Sequence, residues 1–227
     1  MQRDTPFKEG ETYHLYNRGA HKQNIFRRKD DYQRFLLLLY LANGTEKVDM
    51  RKTLRKYKGQ TSADIFKKER PLKSLVDIYA YSLMPNHFHI VLRQKIDRGI
   101  TIFTRKVLTG YSMYFNLVYD HSGILSQGAV KSRHIDSEAY FRYIFAYIHL
   151  NPLSLSLPKW NEKQTIDMAS AHNCLHSYKF SSFYDYNIGV RPERAVLAYE
   201  NAPDFLKKQN DLEALFEWRG EGDPAKV

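Results

Sequence analysis

Two aromatic and β-branched runs, VDIYAYSL and HFHIVL, flank Met84-Pro85-Asn86 between Ser74 and Leu92. Proline cannot donate to a sheet ladder, and Pro-Asn suits the two central positions of a tight turn, so this segment predicts an antiparallel hairpin. Everything else must pack around that ribbon. ETYHLYN at residues 11–17 alternates and reads as a strand ended by Asn17-Arg18-Gly19. Asp30 to Asn43 reads as a helix that is apolar nearly all round, hence buried, and is closed by Asn43-Gly44. Ile100, Phe103, Val107, Tyr111, Tyr114 and Val118 recur at helical spacing, and Asp120 to Gly123 ends that second helix. ILSQGAVKSRHI predicts a short extended segment, followed by a helix from Asp136 to Leu150 stopped by Asn151-Pro152. The order strand, helix, strand, strand, helix, strand, helix predicts an α+β chain with a ferredoxin-like antiparallel sheet covered by helices.

The division expected is a core domain at residues 1–157 and a C-terminal helical accessory segment at 158–227. That segment holds the aromatic cluster Tyr178, Phe180, Phe183, Tyr184 and Tyr186, with a last amphipathic helix expected around Arg194 to Trp218. A hydrophobic fraction of 43% with 17 Tyr, 13 Phe and 2 Trp supplies a core and excludes wholesale disorder. The single cysteine, Cys174, excludes an intrachain disulfide and a thiolate metal cluster, and fits a reducing cytoplasm. The longest apolar run, Phe35 to Ala42, falls short of the ~20 residues of a membrane helix. The start MQRDTPFKEG lacks the apolar stretch of a signal peptide.

The formal charge is +10, which favours a polyanionic partner without identifying one. Its distribution says more. Residues 187–227 hold six Lys/Arg and eight Asp/Glu, which leaves the preceding residues at +12. Residues 47–73 carry ten Lys/Arg against three Asp/Glu, a pattern first read as a solvated helix and loop surface.

His87 and His89 are two positions apart on a strand, so both imidazoles share one face while Phe88 and Ile90 take the other. Two neutral imidazoles can hold one divalent cation, but a closed site needs further ligands. In SEAYFRYIFAYIHLNP, Phe141, Ile144, Phe145 and Ile148 form one helical stripe, and Tyr140, Tyr143, Tyr147 and Asn151 form another. His149 falls about 160° from Tyr147 on the wheel and points away. On periodicity alone the tyrosines read as packing residues and Asn151 as a cap before Pro152. The alternative is a phenol and an amide presented to the His-x-His strand.

The strings YHLYNRG, YSLMPNHFHIVL, YFNLVYDHSGILSQGAVKS and YIHLNPL, in that order and spacing, resemble the single-tyrosine HUH transposases, in particular the REP-associated tyrosine transposase branch. The resemblance runs from about Glu11 to Leu157, with an echo in YKFSSFYDY. It implies a single-stranded DNA endonuclease and strand-transferase acting beside hairpins, as a monomer or a homodimer. His87 and His89 correspond to the paired metal ligands and Tyr147 to the nucleophile. Asn151 takes the place that is glutamine or asparagine in such enzymes, completing a site for Mg²⁺ or Mn²⁺. His149, where related sequences vary, has no assigned role. A phenol of pKa ~10 is a poor nucleophile at neutral pH, which is why the implied chemistry needs a cation nearby.

For DNA contact the basic residues to consider are Arg18 in the strand-ending turn, Arg105 and Lys106 on the second helix, and Lys131 and Arg133 after Gln127-Gly128, the alternative being ordinary surface charge. Two other readings remain open at this level: a noncatalytic relative that binds single-stranded DNA without forming an adduct, and a metallohydrolase of small phosphate esters.

Overall fold

The structure is a computed structural model and describes residues 6–69, 71, 73–157, 160, 167–208 and 212–220. Four strands form one sheet: β1 (Thr12–Arg18), β2 (Val76–Met84), β3 (His87–Gln94) and β4 (Lys131–Ile135). Their spatial order is β2-β3-β1-β4 and every pairing is antiparallel. β2 and β3 are the hairpin that Pro85-Asn86 predicts, closing at the pair Met84 and His87. The crossover helices are α1 (Lys29–Leu41) between β1 and β2, and α4 (Gly99–Tyr119) between β3 and β4. This is the ferredoxin-like α+β arrangement expected from the order of elements.

The basic stretch after α1 folds into two short helices, α2 (Met50–Lys56) and α3 (Ser62–Lys68). α5 (Glu138–Leu150) follows β4 and starts at Ser137, whose hydroxyl accepts from the Tyr140 amide at 3.3 Å. The remaining helices are α6 (Met168–Ser177), α7 (Phe183–Asn187), α8 (Asp204–Lys208) and α9 (Leu212–Gly220).

The two faces of the sheet have different neighbours. Leu15, Phe88 and Ile90 point toward Phe35 of α1 and Phe103 and Val107 of α4. Asp31 locks these helices together. Its fully buried carboxylate accepts from the Arg27 and Arg28 amides and from the Tyr114 and Tyr119 hydroxyls of α4. The opposite face carries His14, Tyr16, His89 and Arg133, and α5 lies across it.

Three expectations are corrected. The extended segment expected before α5 is strand only over Lys131–Ile135; ahead of it the chain turns, with Gly128 at φ +70°, a conformation glycine adopts without steric cost. The single amphipathic helix expected around Arg194 to Trp218 is instead two short 3-10 turns followed by α8 and α9. Pro203 is the physical reason for that break, because it biases Ala202 to the extended conformation seen at φ −68°, ψ 145°. Lys106 is corrected below.

The C-terminal residues are continuous with the core: Phe183, Tyr186, Leu206 and Trp218 belong to the same buried cluster as Leu15, Ile90 and Phe145. They also cover the outer edge of β2. Leu83 donates to the Phe180 carbonyl, Ser182 to the Tyr81 carbonyl and Ala198 to the Ile78 carbonyl. An uncovered edge would leave those ladder groups open to another strand. Among the described residues no helix is long and apolar enough to cross a membrane.

Candidate metal and nucleophile cleft

The hairpin turn sets the first two histidines. The Pro85 carbonyl accepts from the Ile25 and Phe26 amides and the Asn86 carbonyl from Gly19, so three backbone donors hold the turn in place. Directly after it, the His87 ring engages Asn86 through Nδ1, 2.6 Å from Oδ1. An amide oxygen only accepts, so Nδ1 carries the proton and Nε2 keeps its lone pair. Two residues on, His89 engages His14 of β1, Nδ1 to Nε2, at 2.9 Å. Both sheet histidines therefore spend Nδ1 on an anchor, leaving Nε2 for the cleft.

α5 brings the phenol and the amide. The Tyr147 ring stands edge-on to His89 at 5.4 Å and 87°, and His87 stands edge-on to His89 at 5.1 Å and 88°. Asn151, 6% exposed, sits at the end of α5 beside both His87 and Tyr147. Tyr143 stacks on Tyr147 at 6.5 Å and Tyr140 on Tyr143 at 6.2 Å, so the stripe expected on α5 is present. Of its phenols, Tyr147 lines the cleft.

The electrostatics follow from burial. Desolvation pushes His87 down to about 4, with the Asn151 hydrogen bond acting in the opposite direction and Arg18 adding to the depression. Burial holds His89 well below its usual value, helped by the charge that His14 and His87 would carry. His14 is pushed down to about 3 by burial and by Arg133. All three rings are thus neutral at physiological pH, the form that binds cations. Burial raises Tyr147, while the Asn151 hydrogen bond and the Arg219 charge oppose that rise.

The cleft measures about 400 Å³ and is rimmed by Arg18 and Lys131. Asn17 and Gln127 close its floor between β1 and the β4 loop: Asn17 Nδ2 donates to the Gly128 carbonyl at 3.3 Å, and the Gln127 amide donates to the Arg18 carbonyl at 2.7 Å. Arg133 lies on the same sheet face, opposite His14 in register and 4.7 Å over the Tyr140 ring. Arg105 and Lys106 do not join it. Both ride on α4 across the sheet, and Lys106 spends its ammonium on the Gly44 and Glu46 carbonyls. Half-buried and bound to loop backbone, Lys106 is a structural brace for the segment after α1.

His149 behaves as the wheel predicts. It is fully buried away from the cleft, with Nε2 2.7 Å from the Ser182 hydroxyl. Five residues went unassigned in the sequence. His14 and Tyr16 share a face with Arg18 by the strand period of two, a signal present in YHLYNRG but usable only once β1 is known to pair with β3. Asn17 and Gln127 carried no signal beyond their turns. Arg219 of α9 places its guanidinium 5.6 Å from the Tyr147 ring and 5.0 Å from Tyr143. It arrives there because α9 packs on α5, with Trp218 against Phe145 at 6.4 Å.

His87, His89 and Asn151 offer two neutral nitrogens and an amide oxygen. Such a mixed set suits a divalent cation, and it leaves coordination positions open for phosphate and water. Among the described residues no cluster of three or more His, Cys, Asp or Glu forms an alternative cation site.

No family model and no curated protein matches this chain. Among solved structures, a REP-associated tyrosine transposase bound to a REP hairpin is similar with 14% identity and a TM-score of 0.49, over 93% of each chain.

Proposed function

We propose that the protein is a divalent-metal-dependent single-stranded DNA endonuclease and strand-transferase in which Tyr147 is the nucleophile. The observation that carries this reading is the meeting of Tyr147, His87 and His89 in one cleft rimmed by Arg18 and Lys131, with Asn151 beside His87 and Tyr147, all from a single chain. The cationic rim favours a phosphodiester as the substrate.

Arg18 and Lys131 bind phosphates flanking the scissile one and hold the strand across the cleft. When bound to His87, His89 and Asn151, Mg²⁺ or Mn²⁺ supplies Lewis-acid polarisation of the scissile phosphate. Asn151 orients the Tyr147 hydroxyl, and Arg219 stabilises negative charge developing on its oxygen. Tyr147 Oη forms a bond to phosphorus and releases the phenol proton to solvent. The bond from phosphorus to the 3′ oxygen breaks, and that oxygen takes up a proton to leave as a hydroxyl. The 5′-phosphotyrosine conserves the bond energy, so the 3′-hydroxyl of a second strand reverses the step and joins DNA without ATP.

The test is incubation of labelled single-stranded DNA hairpins, carrying unpaired flanks, with the protein and Mn²⁺, followed by denaturing electrophoresis. A covalent species lost in Tyr147→Phe and kept in Tyr143→Phe is expected. An adduct that survives Tyr147→Phe overturns the assignment, and wild-type binding without any adduct identifies a noncatalytic binder.

A further inference from the structure

The proposed chemistry uses two sheet histidines, yet a third is wired to them. His14 is 5% exposed, and its ring stacks on His89 at 5.1 Å with 18° between planes. Tyr16 stacks on both rings, at 4.9 Å from His14 and 5.8 Å from His89. The three rings form one layer, with 18–24° between their planes. The hydrogen bond between His14 Nε2 and His89 Nδ1 joins β1 to β3, 75 residues apart in sequence.

The two ligand histidines are anchored differently. His87 rests on the Asn86 amide oxygen, an obligate acceptor, so its tautomer is set before any ligand arrives. His89 rests on another imidazole, which either donates or accepts. A neutral His89 presents a lone pair at Nε2 only when its proton sits on Nδ1 and is donated to His14 Nε2. The reverse tautomer points an N–H into the cleft and binds no cation.

We infer that His14 is a positioning residue for the cation site: it accepts the Nδ1 proton of His89 and so holds His89 in the orientation and tautomer in which Nε2 is the ligand. This rests on the reading of His87, His89 and Asn151 as a ligand set. Outer partners of ligating histidines tune affinity about 10–100-fold in metalloproteins generally.

The experiment uses the full chain without DNA. Mn²⁺ affinity is measured by calorimetry, and the His89 tautomer is read by long-range ¹H–¹⁵N correlation spectra of the Zn²⁺-loaded protein. His14→Phe keeps an aromatic ring in the layer and removes the acceptor; His14→Gln restores an acceptor through Oε1. Mn²⁺ affinity is expected to fall about 10–100-fold in His14→Phe, to recover largely in His14→Gln, and the wild-type spectra to show His89 protonated at Nδ1. A folded His14→Phe with wild-type Mn²⁺ affinity overturns the inference. So does a Zn²⁺-loaded wild type whose His89 Nδ1 is unprotonated, a result that stands even if His14→Phe fails to fold. The adduct assay separates the two readings: weakened Mn²⁺ binding in His14→Phe with no adduct from wild type leaves the positioning role intact and removes the transferase. An adduct from wild type with unchanged Mn²⁺ affinity in His14→Phe does the opposite.

Discussion

At the scale of single residues, the cleft is built from groups whose charge states are set by burial. His87 is pushed down to about 4 and His89 well below its ordinary value, so protons compete little for their Nε2 lone pairs. Each group's pKa is depressed in the folded state, so the neutral form persists until the pH falls toward the lowered value. Mn²⁺ affinity, measured by calorimetry, is therefore expected to hold nearly constant from pH 8 to pH 6 and to drop only as the pH approaches 4. A steep loss centred near 6.5 would mean that the rings titrate like free histidines. Arg219 has a separate signature. Removing one charge-stabilising donor costs on the order of 10²–10³ in rate at well-studied oxyanion sites. For a guanidinium beside the ring, a smaller loss of about tenfold is expected in the adduct rate of Arg219→Gln, with DNA affinity unchanged. Equal losses in rate and affinity would place Arg219 on the DNA instead. Strand and helix periods put His87 with His89 and Tyr147 with Asn151 on shared faces, but only the resemblance to the HUH transposases singles the four out as a set. His14 was not readable, because only the register of β1 against β3 puts it next to His89.

At the scale of elements, the hairpin and the two crossover helices were legible because Pro85 and the apolar periodicity of α1 and α4 act locally. The C-terminal elements were not, since Phe180 to Ala198 owe their conformation to the edge of β2 rather than to their own pattern. Arg191 stitches that segment. Its guanidinium donates to both oxygens of Asp185, whose side chain is fully buried, and to the Ser181 carbonyl. Removing one member of such a pair strands a buried charge, so Arg191→Met is expected to cost about 3–5 kcal/mol in urea unfolding. Replacing both, as Arg191→Met with Asp185→Leu, should cost less than the single change; an additive loss would show that the charges are not coupled. The sheet rim makes a contrasting case with α4. Lys131→Ala is expected to weaken single-stranded DNA binding and lower the salt slope by about one, as for a phosphate contact. Lys106→Ala should leave both unchanged, because that ammonium already serves two carbonyls.

At the scale of the molecule, three buried histidines, His14, His89 and His149, together with the half-buried His87, make the fold sensitive to acid. His149 is the simplest, pushed down to about 3 by burial alone. Above pH ~6.5 neither the folded nor the unfolded chain protonates it, and no penalty exists. Below that value the unfolded chain takes a proton that the folded chain refuses, so stability falls as pH falls until the folded value is reached. Each such histidine contributes a slope of up to about 1.4 kcal/mol per pH unit. Urea unfolding between pH 7 and pH 5 is expected to show a steep loss of stability, reduced by about one histidine's share in His149→Gln. A slope that does not change in that variant would mean His149 takes up its proton in the fold over the same pH range as in the unfolded chain.

The cleft also has an order of completion. His14 and the two ligand histidines leave the ribosome early, and Tyr147 follows, but Arg219 lies near the far end of the described chain. At ~5–20 residues per second, synthesis leaves a lag of several seconds between Tyr147 and the guanidinium beside it. A nascent chain therefore carries Tyr147 and its neighbouring histidines before it carries the positive charge that sits 5.6 Å from the Tyr147 ring.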